Sequence, residues 1–440
     1  MAKTTQRVRV ALGEALHPVG ELVFEFAGRR EACMFRYAAE WLDYPRRFAL
    51  APTMPLAATP FYSAASRERP RSALPGPIAD GAPDAWGRGL IRKALSGTLT
   101  ELDYLLAADD VTRQGALRYL DEEGPLARTY PPTPRLAELD ELRRLTGLGV
   151  EELNRDPAAR ERLLGSAGSL GGARPKASVR DERGNLTIAK FTSDDDTMPI
   201  EKAEVAVLKL ARAAGVNAAS ARIELGGTDR PVALVDRFDR VAGDRVHYLS
   251  ARSFLGAETA AGAYYTDIAD ALRAHALDPR AQLTELFRRM LFTILVSNND
   301  DHLKNHGLLH AGEGLWVLSP AFDINPQPHR RRQLETGISE ISGNAASIEA
   351  AVDAAPFFDI ERDAAVAMLS GMVSTIDEQW RACCRAAGMT PVEIETYEPA
   401  FDHEETRIAR RMTRARYPEV ARKAAADPAA RIARRTTRAP

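Results

Sequence analysis

The chain opens with a period of two. Val8, Val10 and Leu12 alternate with polar neighbours, Gly20 to Phe26 continues the alternation, and Ala32 to Tyr37 comes beyond the turn Ala27 to Arg30. That pattern predicts three strands with one buried face. Trp41-Leu42 is expected to anchor the next segment, and Pro52, Pro55, Pro60, Pro70, Pro75, Pro77 and Pro83 to keep Ala51 to Pro83 irregular. Asp84 reads as the cap of a helix beginning at Ala85, and Asp103 to Leu120 as a helix and a strand. No chemistry is assigned to this first segment. Pro125 to Pro134 reads as a linker and Leu136 to Leu164 as mostly helical. Two strands, Ala177 to Arg180 and Leu186 to Phe191, flank the turn Asp181 to Asn185, and a helix spans Ile200 to Ala214. Ile223 to Leu225 and Val232 to Arg240 supply two more strands. Leu286 to Val296, apolar along one side, reads as a buried helix. His306 to His310 and Leu315 to Leu318 flank Ala311 to Gly314 as a β-hairpin.

The buried helix delivers a polar loop, Ser297 to Asn305. Asp300 and Asn305 are five apart, with His302 and Lys304 between them. Protein kinases use this spacing: the Asp accepts the substrate hydroxyl proton and the Asn holds a magnesium ion. Alone, the spacing equally fits a polar loop with helix-capping residues. The hairpin strengthens it, because its far end, Ser319 to Asp323, returns a second carboxylate beside Asn305. Magnesium takes one or two carboxylates together with phosphate oxygens and water, so Asn305 with Asp323 meets the need.

A second informative stretch, Gly165 to Val179, is rich in glycine and small residues, including Ser169, Gly171, Gly172 and Ala173. Such a loop lets backbone amides approach phosphate, although it lacks the Walker A spacing. Lys190 comes next on a strand, and the helix after it carries Glu201 and Glu204, either of which would pair with it. Loop, strand lysine and helix glutamate keep the order of a kinase N-lobe. Val235 to Phe238 then falls where a kinase chain passes the adenine, offering backbone hydrogen bonds and an aromatic wall.

The 440 residues carry a net charge of −2, which gives the whole chain no electrostatic claim on nucleic acid. Cys33, Cys383 and Cys384 show no metal spacing and read as reduced thiols. The start has no apolar leader, and no run of about 18 apolar residues occurs, so a cytoplasmic protein with no membrane contact is expected. Arg407 to Pro440 is arginine-rich and reads either as a solvated helix with a frayed tail or as a basic arm on nucleic acid.

Taken together, Ser169-x-x-Gly172-Ala173-x-x-Lys176, Lys190, Arg237-Phe238-Asp239-Arg240, Asp300-x-His302-x-Lys304-Asn305 and Ser319 to Asp323 resemble the HipA family of serine/threonine kinase toxins of type II toxin–antitoxin systems. Gly20-Glu21-Leu22, Trp41-Leu42 and Asp84 to Arg88 extend the resemblance to the N-terminal segment. It implies an α+β fold: a protein-kinase-like two-lobed core with an N-terminal β-rich subdomain (1–130), an N-lobe with a Gly-rich loop (131–245), a mainly helical C-terminal lobe (246–406) and a basic tail (407–440). It implies ATP and Mg2+, with Asp300 as base, His302 and Lys304 beside it, Asn305 and Asp323 on the metal, and Lys190 on the phosphates. Ser169, Gly171, Gly172, Ala173, Lys176, Val235 and Phe238 would line the nucleotide, and Ser169 would be the site of inactivating autophosphorylation. The implied partners are a HipB-like helix-turn-helix antitoxin, operator DNA only through that antitoxin, and a protein substrate such as an aminoacyl-tRNA synthetase. Two other readings remain at this level: a small-molecule phosphotransferase of the aminoglycoside-kinase type, and a catalytically silent co-repressor subunit. Ser169 argues against the first; intact Lys190, Asp300, Asn305 and Asp323 argue against the second.

Overall fold

The computed structural model describes residues 4–28, 30–65, 72–95, 97–121, 126, 129–148, 150–167, 174–193, 195–228, 230–259, 262–328 and 332–416. The N-terminal alternation becomes a five-stranded antiparallel sheet. Its order is Phe61–Ala65, Arg30–Tyr37, His17–Ala27, Thr4–Leu12, Leu117–Leu120. Val8, Val10, Val19, Leu22, Phe24 and Phe35 fill its inner face against Trp41. The proline-rich stretch is less irregular than expected. Phe61–Ala65 pairs with the third strand, Met34 opposite Tyr62, and Gly76–Ala79 forms a short helix. The prolines sit where these elements tolerate them: Pro60 before an edge strand, Pro77 in the first helical turn.

A second antiparallel sheet has the order Lys176–Arg180, Leu186–Phe191, Val232–Asp236, Ala221–Glu224. Its first turn closes because the Asp181 carboxylate accepts from the Arg183 and Asn185 amides at 2.9 and 2.7 Å. Alternation splits the faces. Ala189, Phe191, Val232 and Leu234 meet Leu139 and Leu142 of the helix Leu139–Thr146, while Ala233 and Val235 turn to the main core. Lys190 shares the second face with Ile188. The helix Ile200–Ala213 packs between this sheet and the long helix Arg362–Ala386.

The remainder is mostly helical. The predicted helix before the polar loop starts earlier, at Pro279, because Asp278 caps it by accepting from the Ala281 amide at 3.0 Å. Leu286, Phe287, Met290, Leu291 and Ile294 are all buried. Each contributes about 1.5–3 kcal/mol by burial, which fixes the end of the helix and hence the loop. The first part of the basic tail is helical. Glu404–Arg416 is a helix docked on Arg362–Ala386, and Arg410 pairs with Asp377 at 2.6 Å and Asp402 at 2.8 Å. Residues 417–440 lie outside the described residues. Among the described residues, no helix is long and apolar enough to cross a membrane.

Candidate active site

The hairpin does what its sequence promised. Gly307–Gly312 pairs with Leu315–Leu318, Leu309 opposite Val317, and the Ser319 amide donates to the Gly307 carbonyl at 2.8 Å. Tyr248–Ser250 adds a third strand that the sequence did not announce. Position 307 must be glycine: a Cβ there would lie 2.5 Å from both Ser319 Oγ and the Tyr248 ring. This close approach carries Asp323 back to the loop. Asp323 has a left-handed backbone, φ 56°, a strained conformation for a non-glycine residue and one that clusters at functional sites.

The two aspartates of the loop divide their roles. Asp301 is buried; it accepts from the Tyr265 hydroxyl and lies 3.1 Å from His306 Nε2. Burial alone would raise its pKa, but His306 and the hydrogen bonds outweigh that and lower it. Asp301 therefore braces the loop. Asp300 is exposed. Partial loss of water and the nearby Asp323 and Glu335 carboxylates raise its pKa against the opposing pull of His302. Asn305 donates through Nδ2 to the Asp300 carbonyl at 2.9 Å, an arrangement that leaves its Oδ1 for another ligand.

Opposite the loop stands a wall of lysines. Lys190 donates to Glu204 Oε1 at 2.6 Å and to Asp323 Oδ1 at 3.0 Å. Of the two helix glutamates, Glu204 is thus the partner; Glu201 instead takes Arg174 at 2.6 Å. Burial would lower the Lys190 pKa, yet Asp323 and Glu204 outweigh it and raise it. Burial pushes Asp323 up, and Lys190 with Lys176 holds it well below the usual carboxylate range. Lys176 lies directly across the strand pair from Lys190. Only 4 % of it is exposed, and burial, with the charge of Lys190, pushes its pKa down to about 8. Like charges placed opposite each other destabilise a sheet. Their persistence here fits a site that receives an anion.

Most of these groups line one cleft that is partly open to solvent, although Asp300 is not among its lining residues. Lys176, Ile188, Lys190, Val235, Phe238, His302, Lys304, Asn305 and Asp323 all face it. His302 has its Nδ1 buried without a hydrogen-bond partner. Phe238 lies 5.4 Å from the Phe322 ring, an aromatic wall as expected. Val235 pairs with Ile188 on one side and Ala221 on the other, so it offers the cleft its side chain. Ser169, Gly171, Gly172 and Ala173 lie outside the described residues.

The N-terminal segment, to which the sequence assigns no chemistry, reaches the cleft as well. Asp80, Asp84 and Gln114 line the same cleft. Asp84 stands at the predicted cap position but makes no side-chain cap bond; it pairs with Lys304 at 2.5 Å. Asp80 accepts from the Ser250 amide at 2.7 Å and hydroxyl at 2.9 Å. The motif Arg237 to Arg240 ties the two parts together. Asp239 accepts from Arg237, Arg240 and the Gly115 amide, while Arg237 Nη1 reaches the Thr112 carbonyl at 2.6 Å. The links to Gly115 and Thr112 span more than a hundred residues of sequence, so no local pattern could have signalled them.

A lysine–glutamate pair under a sheet, facing an Asp-x-x-x-x-Asn loop and a hairpin-borne Asp, defines a kinase-like protein with an N-terminal β-rich subdomain. Residues 168–380 match the HipA-like C-terminal domain and residues 9–119 the HipA N-terminal domain. The chain belongs to the HipA family. It is 27 % identical over 340 residues to a candidate kinase, Y4mE, of Sinorhizobium fredii, covering 69 % of this chain and 75 % of that one. A candidate kinase of Haemophilus influenzae is 27 % identical over 96 residues, 21 % of this chain and 24 % of that one. The fold matches a chain of the Shewanella oneidensis toxin–antitoxin complex of HipA, HipB and operator DNA. The TM-score is 0.66 at 16 % identity, over 94 % of this chain and 98 % of that chain.

Proposed function

We propose that this chain is an ATP-dependent protein serine/threonine kinase acting as the toxin of a toxin–antitoxin pair. The observation that carries the reading is the cleft in which paired cations, Lys176 and Lys190, face Asp323 and Asn305. The donor set fits Mg-ATP. Asp323 and the amide oxygen of Asn305 are hard oxygen ligands, and beside Asp323 the buried Asn325 Oδ1 lacks a hydrogen-bond partner. Asn305 and Asp323 would hold magnesium, which would offset the phosphate charge. Lys190, oriented by Glu204, would hold the phosphates. Phe238 and the side chain of Val235 would flank the base. Asp300 would accept the hydroxyl proton, and its raised pKa makes it a better base than an ordinary carboxylate.

The partner reading rests on the family and on the Shewanella complex, whose components are HipA, HipB and operator DNA. A HipB-like antitoxin would read DNA while this chain is held inactive. The acceptor would be a translation protein such as an aminoacyl-tRNA synthetase, and Ser169 a self-modified serine that switches the kinase off. Incubation with labelled ATP and a cell lysate, followed by identification of labelled residues, tests this. Labelled serine or threonine on a discrete protein is expected with the native chain and not with Asp300→Asn. No transfer to any protein, or equal transfer by Asp300→Asn, would refute it.

A further inference from the structure

We infer that Asp84, a residue of the N-terminal β-rich part, is a positioning residue of the phosphoryl-transfer site, acting through Lys304. The inference rests on the kinase reading above and adds a component to it. Lys304 belongs to the short 3-10 turn Leu303–Asn305, so its backbone is joined directly to Asn305. Its ammonium lies in the cleft with Lys190 and Asp323, and Asp84 takes it at 2.5 Å. The Lys304 side chain keeps 34 % of its surface exposed, enough to meet a further oxygen without leaving Asp84.

Asp84 is itself held. Arg88, one helical turn on, donates from Nε to the Pro83 carbonyl at 2.8 Å, and its other nitrogens fork onto Glu101 at 2.6 and 2.9 Å. Asp84 occupies a helix N-cap, where a carboxylate ordinarily accepts from its own helix, yet it makes no such bond. Its bond to Lys304 instead crosses from the N-terminal part to the catalytic loop. A second tie, the Gly115 amide donating to Asp239 at 2.7 Å, fastens the N-terminal part to the segment Arg237 to Asp239, which also lines the cleft. An ammonium anchored from one side is a fixed donor rather than a swinging one, and a fixed donor lowers the reorganisation needed as charge develops on a transferred group.

This placement makes a specific kinetic signature. Removing the charge of Asp84 takes a negative group away from a polyanion site, so ground-state affinity for Mg-ATP should not fall. Turnover should fall, because Lys304 is no longer aimed. A merely structural contact would instead lower the melting temperature and raise KM.

The experiment uses the full-length chain and measures phosphate release from Mg-ATP, Mg-ATP affinity by calorimetry, and melting temperature. The variants are Asp84→Asn, Asp84→Glu, Lys304→Met and the double Asp84→Asn/Lys304→Met. Asp84→Asn is expected to lose tenfold or more in kcat with unchanged or tighter Mg-ATP binding, and Asp84→Glu to recover most of the rate. In the Lys304→Met background Asp84→Asn should change kcat by less than twofold. Unchanged kcat in Asp84→Asn, or a full independent loss in the Lys304→Met background, would overturn the inference and leave the kinase reading standing. Failure of the native chain to bind or turn over Mg-ATP would overturn both.

Discussion

Asp300 and Asp301 are adjacent carboxylates, and the structure assigns them opposite sensitivities. Replacing Asp301 by Ala orphans the buried Tyr265 hydroxyl, takes the carboxylate away from the buried His306, and opens a gap under the loop. An unsatisfied buried polar group costs about 1–3 kcal/mol, and breaking a buried charged network about 3–5 kcal/mol. For a unit of this size each kcal/mol moves the melting point by about 2–4 °C, so a drop of roughly 10 °C is expected. Turnover should fall with it, because the Thr336 amide, bonded at 3.1 Å to the Asp301 carbonyl, shares the same support. Replacing Asp300 by Asn should do the reverse. Its side chain is exposed, so stability should change by less than about 0.5 kcal/mol, while phosphoryl transfer falls by several orders of magnitude. Differential scanning fluorimetry and a labelled-ATP assay on both variants check this. A stable, inactive Asp301→Ala with an unfolded Asp300→Asn would reverse the assignment and refute the reasoning.

Three further outcomes are expected. Glu204→Gln should lose at least tenfold in ATP turnover, since Lys190 would keep only Asp323; steady-state kinetics measure it, and a native rate would mean Glu204 does not orient the lysine. Acid should destabilise the fold through His247, His310 and His403, which burial pushes to about 4 in the native state. Because the unfolded side chains titrate near pH 6.5, the unfolded state binds more protons between about pH 6.5 and 4. This contribution is therefore complete above pH 6.5 and lost as pH falls through that window; urea titrations across it should show a flatter slope in His247→Gln than in the native chain, and equal slopes would remove His247 from the account. Intact-mass and peptide analysis of ATP-exposed protein should find phosphate on Ser169 in the native chain and none in Asp300→Asn; unmodified Ser169 in an active preparation would count against self-inactivation.

Much of the site was legible because its signals are local. Asp300 and Asn305 are five apart, the hairpin that returns Asp323 is twelve residues long, and strand alternation alone puts Lys190 with Ile188 on one face. The choice between Glu201 and Glu204 was not legible. Three apart on a helix, they share a face, and only the docking of that helix on the sheet sends one to Lys190 and the other to Arg174. The N-terminal contribution was invisible for a related reason. Asp84 looks like an ordinary helix cap in sequence, and its bond to Lys304 joins residues far apart in the chain. The pairing of Arg410 with Asp377 and Asp402 was equally invisible, because Asp377 lies on another helix.

The central claim is that the cleft holds Mg-ATP between Lys190 and the pair Asn305 and Asp323. Calorimetric titration of ATP into the native chain and into Asp323→Ala, each with and without magnesium, tests it most directly. The native chain should bind much more tightly when magnesium is present, and Asp323→Ala, at a temperature where it remains folded, should lose that dependence. Equal magnesium-dependent affinity in the two proteins would contradict the assignment of Asp323, and no binding by the native chain would contradict the site as a whole.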